Sequence, residues 1–372
     1  ATKSERNGLL MPDVEDINFA MGETMSITSD ASRWRYAGAF FRLNYSYDNR
    51  YLFEVNGRYD GSSKFPNNSQ WGFFPSASAA WRLSEERFWK VDPKFLSNVK
   101  LRMSYGALGN SNVNPYSYLE KFSLSTFSTT GTSTDGRYLD GSAKLRYTKN
   151  PSQIPDNIGW ETSKTVDVGI DLGFLHNKIT LSADYYVRKT IDMYTVGPTL
   201  PDTFGASSPK GNYADMSTYG YEISLGYNDS FKLADRPLSF GVKVTLADYY
   251  SVIDKYNNPT RDLDDYYVGQ RIGEIWGYVC NGLFQSQDAI DTAFNGKGYK
   301  NDIMQTSVNY ITHPGDMRFE DLNGTNSIDK GANTVDSPGD RQIIGNEEPR
   351  YIYTFSFSAD WNNFFLSAMF DG

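Results

Sequence analysis

The chain has 372 residues with 36 Lys and Arg against 45 Asp and Glu, a formal net charge of -9, so no basic surface is on offer to a phosphate backbone and nucleic acid is not an expected partner. Aromatic residues make up 15%, with 27 Tyr and 23 Phe beside 32 Gly, a mixture that favours strands joined by turns over helices. The single cysteine, Cys280, excludes an intramolecular disulfide and a cysteine metal cluster.

No run approaches the roughly 18 consecutive apolar residues of a membrane-spanning helix, and the mean hydropathy is -0.55. A transmembrane barrel escapes this test, because only alternate residues of each strand face lipid. Ala1 to Asn7 has no signal-peptide pattern, so any export signal is expected upstream.

Residues 1–35 read as an irregular segment leading into the first strand. Ala37, Ala39, Phe41, Leu43, Tyr45 and Tyr47 then alternate with Gly38, Arg42, Asn44 and Ser46, and only Phe40 breaks the period of two. Past the turn Asp48-Asn49-Arg50, Tyr51, Phe53, Val55 and Tyr59 share one face and Glu54, Asn56 and Arg58 the other, which predicts an antiparallel hairpin. The pattern returns around Trp71 to Leu83, Val99 to Tyr105, Val166 to Phe174, Ile179 to Val187, Tyr219 to Tyr227, Leu238 to Leu246, Tyr351 to Ala359 and Phe364 to Phe370.

About ten strands are therefore expected, many ending in Tyr, Trp or Phe as the aromatic girdles of a membrane barrel do. The second faces carry Glu54, Arg58, Arg82, Arg102, Asp167, Asp171, Asp184 and Lys243 in mid-strand, where they are expected to meet water. Connections alternate between very short (48–50, 175–178) and long (107–161, 189–217, 250–350), the asymmetry of outer-membrane barrels. The fold class expected is all-β, an antiparallel transmembrane barrel with long extracellular loops. At roughly 37 residues per strand, a closed barrel of about 22 strands would need some 800 residues, so the wall is expected to be incomplete, with both termini truncations.

The run from Tyr47 to Phe65, containing Tyr47-Asp48-Asn49-Arg50-Tyr51 and Asp60-Gly61-Ser62-Ser63, resembles the barrel segment of the SusC/RagA group of TonB-dependent transporters. Trp71-Gly72-Phe73-Phe74-Pro75-Ser76, Ala79-Ala80-Trp81-Arg82-Leu83-Ser84, Gly277-Tyr278 with Asn281-Gly282-Leu283-Phe284-Gln285, Pro314-Gly315-Asp316 and Gly339-Asp340-Arg341 follow in the group's order. The resemblance implies that residues 36–372 are a partial barrel without plug or TonB-engaging segment. It also implies a place in the bacterial outer membrane, TonB-driven import of a glycan fragment or oligopeptide, and a SusD-like surface lipoprotein as partner. A siderophore-type receptor of the same superfamily is one alternative. A soluble secreted carbohydrate-binding or carbohydrate-active protein, with its strands in a sandwich or propeller, is another.

Catalysis has little material: the two histidines, His176 and His313, fall in a tight turn and in a loop beside Pro314. Nothing selects a carboxylate pair, and no enzyme activity is expected. Cys280 has no neighbouring Lys, Arg or His in sequence to activate it.

Two loop clusters remain. Tyr266, Tyr267, Trp276 and Tyr278 are aromatics suited to sugar faces, with Asp264 and Asp265 beside them for hydroxyls; mutual packing of the loops is the preferred reading. Asp321, Asn323, Thr325 and Asp329 place oxygens at alternating positions as a calcium loop does, but Thr325, Asn326 and Ala332 stand where an EF-hand wants an acid or Asn, Gly and Glu. A turn held by Asx hydrogen bonds is preferred there, with calcium as the alternative cofactor reading.

Overall fold

A strand with period two keeps one apolar and one polar face across a sheet only if its neighbours hold the matching register. In the computed structural model of the chain, ten such strands join into one antiparallel sheet. The structure describes residues 32–122, 151, 153–155, 157–198, 200–204, 208–302 and 311–372, with the strand backbones of Thr2–Arg6, Met25–Ser29, Leu124–Thr126 and Arg146–Thr148.

Two strands of the opening segment, β1 (Thr2–Arg6) and β2 (Met25–Ser29), pair with each other, where the sequence pattern indicated no strand. The wall starts with β3 (Tyr36–Tyr47), β4 (Tyr51–Ser62), β5 (Trp71–Arg82) and β6 (Asn98–Asn110). Within the next connection β7 (Leu124–Thr126) pairs with β8 (Arg146–Thr148). Then come β9 (Glu161–Phe174), β10 (Ile179–Val196), β11 (Lys210–Leu233) and β12 (Arg236–Lys255). A lobe follows with β13 (Glu274–Tyr278), β14 (Cys280–Leu283), the short helices α1 (Gln287–Asp291) and α2 (Ala293–Gly296), β15 (Met317–Phe319) and β16 (Arg341–Asn346). Finally β17 (Ile352–Trp361) and β18 (Phe364–Asp371) return to the wall.

The wall runs β18–β17–β12–β11–β10–β9–β6–β5–β4–β3. This is one sheet laid down in chain order, not two packed sheets or separate blades, which removes the sandwich and propeller alternatives. Among the described residues β3 pairs only with β4 and β18 only with β17, so the wall is open.

One row of paired residues crosses eight strands from Tyr51 through Trp81, Leu101, Ile170, Ala183, Ile223 and Leu246 to Tyr353. The short turn lies next to Tyr51 at one edge of the wall, but about nine residues beyond Tyr353 at the other. That drift is roughly 25 Å along the strands for roughly 34 Å across the seven interstrand spacings, a tilt of about 35°, close to the inclination that barrel closure imposes.

Most wall strands outrun the expected ranges, β10, β11 and β4 among them. The connection expected over 189–217 is mostly paired, because β10 extends to Val196 and β11 begins at Lys210. The 24 residues of β11 span roughly 80 Å, far more than a band of about 25 Å of lipid requires. β4 likewise runs past the alternation that ends at Tyr59, continuing to Ser62 and burying Asp60 and Ser62. Pro75 sits where it does no harm: β5 pairs with β6 only from Ser76 onward, so its missing N–H costs no ladder bond on that side.

The small core lies at the long-connection end of β4 and β5. Phe65, Val113 and Ile158 are buried there under Trp160, whose ring meets Phe65 at 5.2 Å and Phe74 at 5.3 Å. The Trp160 indole donates to the Gln70 carbonyl at 3.0 Å, fastening residues 157–160 across the mouth of the β4–β5 hairpin.

Candidate functional site

Exposure on the wall is inverted relative to a soluble sheet. Tyr45, Phe53, Met103, Val168 and Tyr185 share one paired row, and each is about half exposed, as at 57% for Met103. The charged side chains of Arg102 and Asp184, on the opposite face, are 28% and 21% exposed. An exposed apolar face backed by a half-buried charged one fits lipid outside and a polar lumen inside.

The polar face carries a network built by register. Arg102 on β6 stands opposite Gly169 on β9 and, beyond it, Asp184 on β10, while Asp171 and Ser182 form a neighbouring pair. Arg102 donates Nε and Nη2 to the two Asp171 oxygens at 2.8 and 2.9 Å, and Nη2 also reaches Asp184 Oδ2 at 3.0 Å and Ser182 Oγ at 3.1 Å. A side chain at Gly169 would place its Cβ 2.9 Å from Arg102 Nη2, so glycine leaves the guanidinium its room. Sequence reading put Arg102, Asp171 and Asp184 on the wet face without showing that they meet.

The lobe between β12 and β17 holds the residues singled out for ligands. Tyr267 is buried, and its hydroxyl donates to Glu274 Oε2 at 2.7 Å while accepting the Trp276 indole N–H at 3.2 Å. Burial first, and then the bond to Glu274, push the Tyr267 phenol up to about 12. Tyr278 packs against Phe319 at 5.7 Å. These three aromatics pack the lobe. Tyr266 stays 52% exposed and meets Tyr256 edge to face at 5.8 Å. Asp265 accepts from the Tyr256 hydroxyl at 2.9 Å and the Tyr266 amide at 2.7 Å. The Tyr256 phenol is also pushed up to about 12, by burial and then by Asp265. Asp264 accepts the Asn333 amide at 2.8 Å.

The calcium-like loop is a web of backbone bonds. Asp321 accepts from the amides of Gly324, Thr325 and Asn326 at 2.6, 3.2 and 2.8 Å, and Asp329 from the Gly331 amide at 2.7 Å and the Thr325 hydroxyl at 3.1 Å. The Asn323 amide approaches Asp329 at 3.4 Å. Among the described residues no three of His, Cys, Asp or Glu are grouped to hold a metal ion.

The residue that organises this loop was missed. Asp340 is fully buried and accepts the amides of Leu322, Asn323 and Asp329 at 2.7, 3.1 and 2.8 Å. Gly331 and Gly339 adopt positive φ, and a Cβ on Gly331 would sit 2.5 Å from the Gly339 nitrogen. Close backbone approach there requires glycine. The only sequence signal was Asp340 within Gly339-Asp340-Arg341.

The family profile described as "TonB dependent receptor-like, beta-barrel" matches residues 11–367. The chain belongs to that family. TonB-dependent receptor P3 of Formosa agariphila is 29% identical over 364 residues, covering 93% of this chain and 32% of the relative. TonB-dependent receptor SusC of Bacteroides thetaiotaomicron is 29% identical over 355 residues, covering 91% and 32%. A structure of the RagAB peptide transporter superposes with a TM-score of 0.65 at 18% identity, over 96% of this chain and 34% of that one. The chain thus spans about a third of the length of the curated relatives it matches. As a TonB-dependent receptor wall it is an outer-membrane β-barrel element, with its apolar face to lipid and the Arg102 network toward the lumen.

Proposed function

We propose that this wall serves TonB-driven import of a large nutrient, a glycan fragment or oligopeptide, across the outer membrane, in a protein of the length of its relatives. A SusD-like surface lipoprotein would be its partner, and TonB would engage a region other than this wall. The observation that carries the reading is the open ten-stranded sheet with an exposed apolar face and an ion-paired polar one. Support for the substrate class comes from the relatives, one named SusC and one structure described as a peptide transporter.

The test is uptake by cells expressing the full-length protein. Fluorescent oligosaccharides or oligopeptides should accumulate in the periplasm, accumulation should stop when TonB is deleted, and a surface lipoprotein should copurify in detergent. Growth rescue confined to iron limitation would instead identify a siderophore receptor and overturn the nutrient reading.

A further inference from the structure

The apolar face of the wall has a sharp upper limit on the side of the long connections. On β9 and β10 its paired rows run from Phe174 with Ile179 to Val166 with Val187, a stretch of roughly 26 Å along the strand and about 22 Å upright at the tilt of the wall. That nearly fills a lipid band of about 25 Å. The last row is a girdle. Val187 continues into Tyr219 and Tyr250, whose rings stack at 5.3 Å, and Tyr105 adjoins Val166 on the other side. Tyrosines gather where acyl chains give way to head groups.

The next row on that face is basic. Lys164 on β9 and Lys189 on β10 are directly paired, and both are exposed. The row continues through Ser217 and Val252 to Arg271, which lies over the Tyr250 ring at 4.3 Å. Like charges set directly opposite on neighbouring strands destabilise a sheet. Among the described residues neither lysine has an ion pair or a hydrogen bond to offset this, whereas Lys178, at the short-turn end of the same strands, is paired with Asp229 at 2.6 Å. The carboxylates nearby are committed or turned away. Asp254, on the same face, takes the Ser217 hydroxyl, and Asp215 takes the Asp192 amide at 2.8 Å at the bulge beyond Thr190. Glu161 and Asp167 belong by register to the opposite face. Snorkelling into water would account for one lysine at this level. Two directly opposed lysines without an acid leave room for a shared anion.

We propose that Lys164 and Lys189 hold the phosphate of an outer-leaflet lipid, whose acyl chains lie on Val166, Val187 and the apolar rows beneath them. One phosphate between the two ammonium groups replaces a like-charge contact with charge-assisted hydrogen bonds. Head and tail contacts then follow each other down the wall in the order in which a lipid presents them. Arg271, three strands from Lys189 in the same row, extends the positive rim without joining this phosphate. The assignment depends on the wall's place in the outer membrane and is independent of which nutrient is imported.

The experiment uses the full-length protein in a neutral detergent and reads bound lipid by native mass spectrometry. The probes are a monophosphorylated lipid A, the same lipid without its phosphate, and inorganic phosphate. The phosphorylated lipid should bind, the dephosphorylated one at least tenfold more weakly, and an excess of inorganic phosphate should not displace it. Replacing both residues, Lys164→Ala with Lys189→Ala, should weaken binding tenfold or more, while Lys164→Arg with Lys189→Arg retains it. Lys178→Ala, at the opposite rim, should leave it unchanged. Both lysines are exposed, so the double alanine variant should melt with the parent, and the arginine variant guards against a folding defect. Failure of the phosphorylated lipid to bind, binding indifferent to its phosphate, or affinity unchanged in the double alanine variant would overturn the assignment. Displacement by inorganic phosphate would overturn it too, since the site would then hold an anion and no lipid. Lipid binding as expected without TonB-dependent uptake sinks the import reading alone.

Discussion

Arg350 and Asp248 form a two-point ion pair, Nε to Oδ1 at 2.6 Å and Nη2 to Oδ2 at 2.5 Å, across 102 residues of sequence. Asp248 is on β12 and its side chain is 7% exposed, while Arg350 lies just before β17. The pair therefore pins the end of the lobe to the wall strand from which the lobe departs. Tyr249 adds a bond to Glu348 at 3.2 Å, and the Arg271 guanidinium lies 4.3 Å from the Tyr250 ring.

Removing only the cation should expose this latch. Arg350→Ala leaves Asp248 buried with an unpaired charge, and because the arginine is 41% exposed solvent screening keeps the expected loss small and local to the lobe. Limited proteolysis of the full-length protein should show faster cutting within residues 256–350 and unchanged resistance of the wall. Equal protection of the lobe in the variant and the parent would show that the pair does not hold it.

The two faces of the wall predict opposite tolerance to charge at adjacent rows. Val168 lies on the exposed apolar face, six residues from the end of β9, and Ser104 is opposite Asp167 on the polar face. Val168→Arg should destabilise the folded barrel by about 2–4 kcal/mol, the cost of arginine near the bilayer midplane, whereas Ser104→Arg should fold normally. Heat-modifiability on gels, read as the temperature at which the folded band disappears, separates the two. Equal behaviour would mean that the faces are wrongly assigned.

Much of the wall was legible because its physics is local: Tyr51, Phe53 and Val55 against Glu54 and Asn56 state both the strand and its two faces. The outer halves of β10 and β11 were not legible. Lys189 to Val196 and Lys210 to Thr218 have polar residues on both sides, and a register shift between Thr190 and Met193 interrupts the alternation. Outside lipid both faces are free to be polar, so period two loses its cause. The bonding of the loop residues was hidden for a related reason. Asp321 and Asp329 resemble cation ligands by spacing, yet what they bind is backbone amide, which a side-chain pattern cannot display. Tyr267 is buried by Arg261, Glu274 and Trp276, contacts that depend on how the lobe folds.

Alkaline pH should loosen the lobe in a defined window. The Tyr256 and Tyr267 phenols have folded-state values near 12, above the ordinary 10. Raised values mean that the folded state holds these protons more tightly than the unfolded chain. Their stabilisation is therefore complete below pH 10 and is lost as pH rises from there through 12. Difference absorbance at 295 nm between the parent and Tyr267→Phe should show one phenol ionising late, and the variant should lose less lobe stability between pH 10 and 12. An early-titrating difference signal would contradict the buried placement.

Asp340 gives the sharpest test of how the lobe is built. Its carboxylate is fully buried and receives the amides of Leu322, Asn323 and Asp329, while its own amide donates to the Asp329 carbonyl at 3.0 Å. Hydrogen bonds to a charged group contribute about 1.5–3 kcal/mol each in favourable cases, and deleting the acceptor leaves donors unsatisfied. Asp340→Ala should therefore cost at least about 3 kcal/mol locally, enough to open the 321–331 turn without unfolding the wall. Asp340→Asn keeps one acceptor oxygen and should fall between. Hydrogen exchange of the full-length protein should show protection lost at Leu322, Asn323 and Asp329 in the alanine variant, partly retained in the asparagine variant, and unchanged along β9 and β10. If calcium rather than Asp340 ordered this turn, chelator would strip the same amides in the parent protein. The bonds described here predict that it will not.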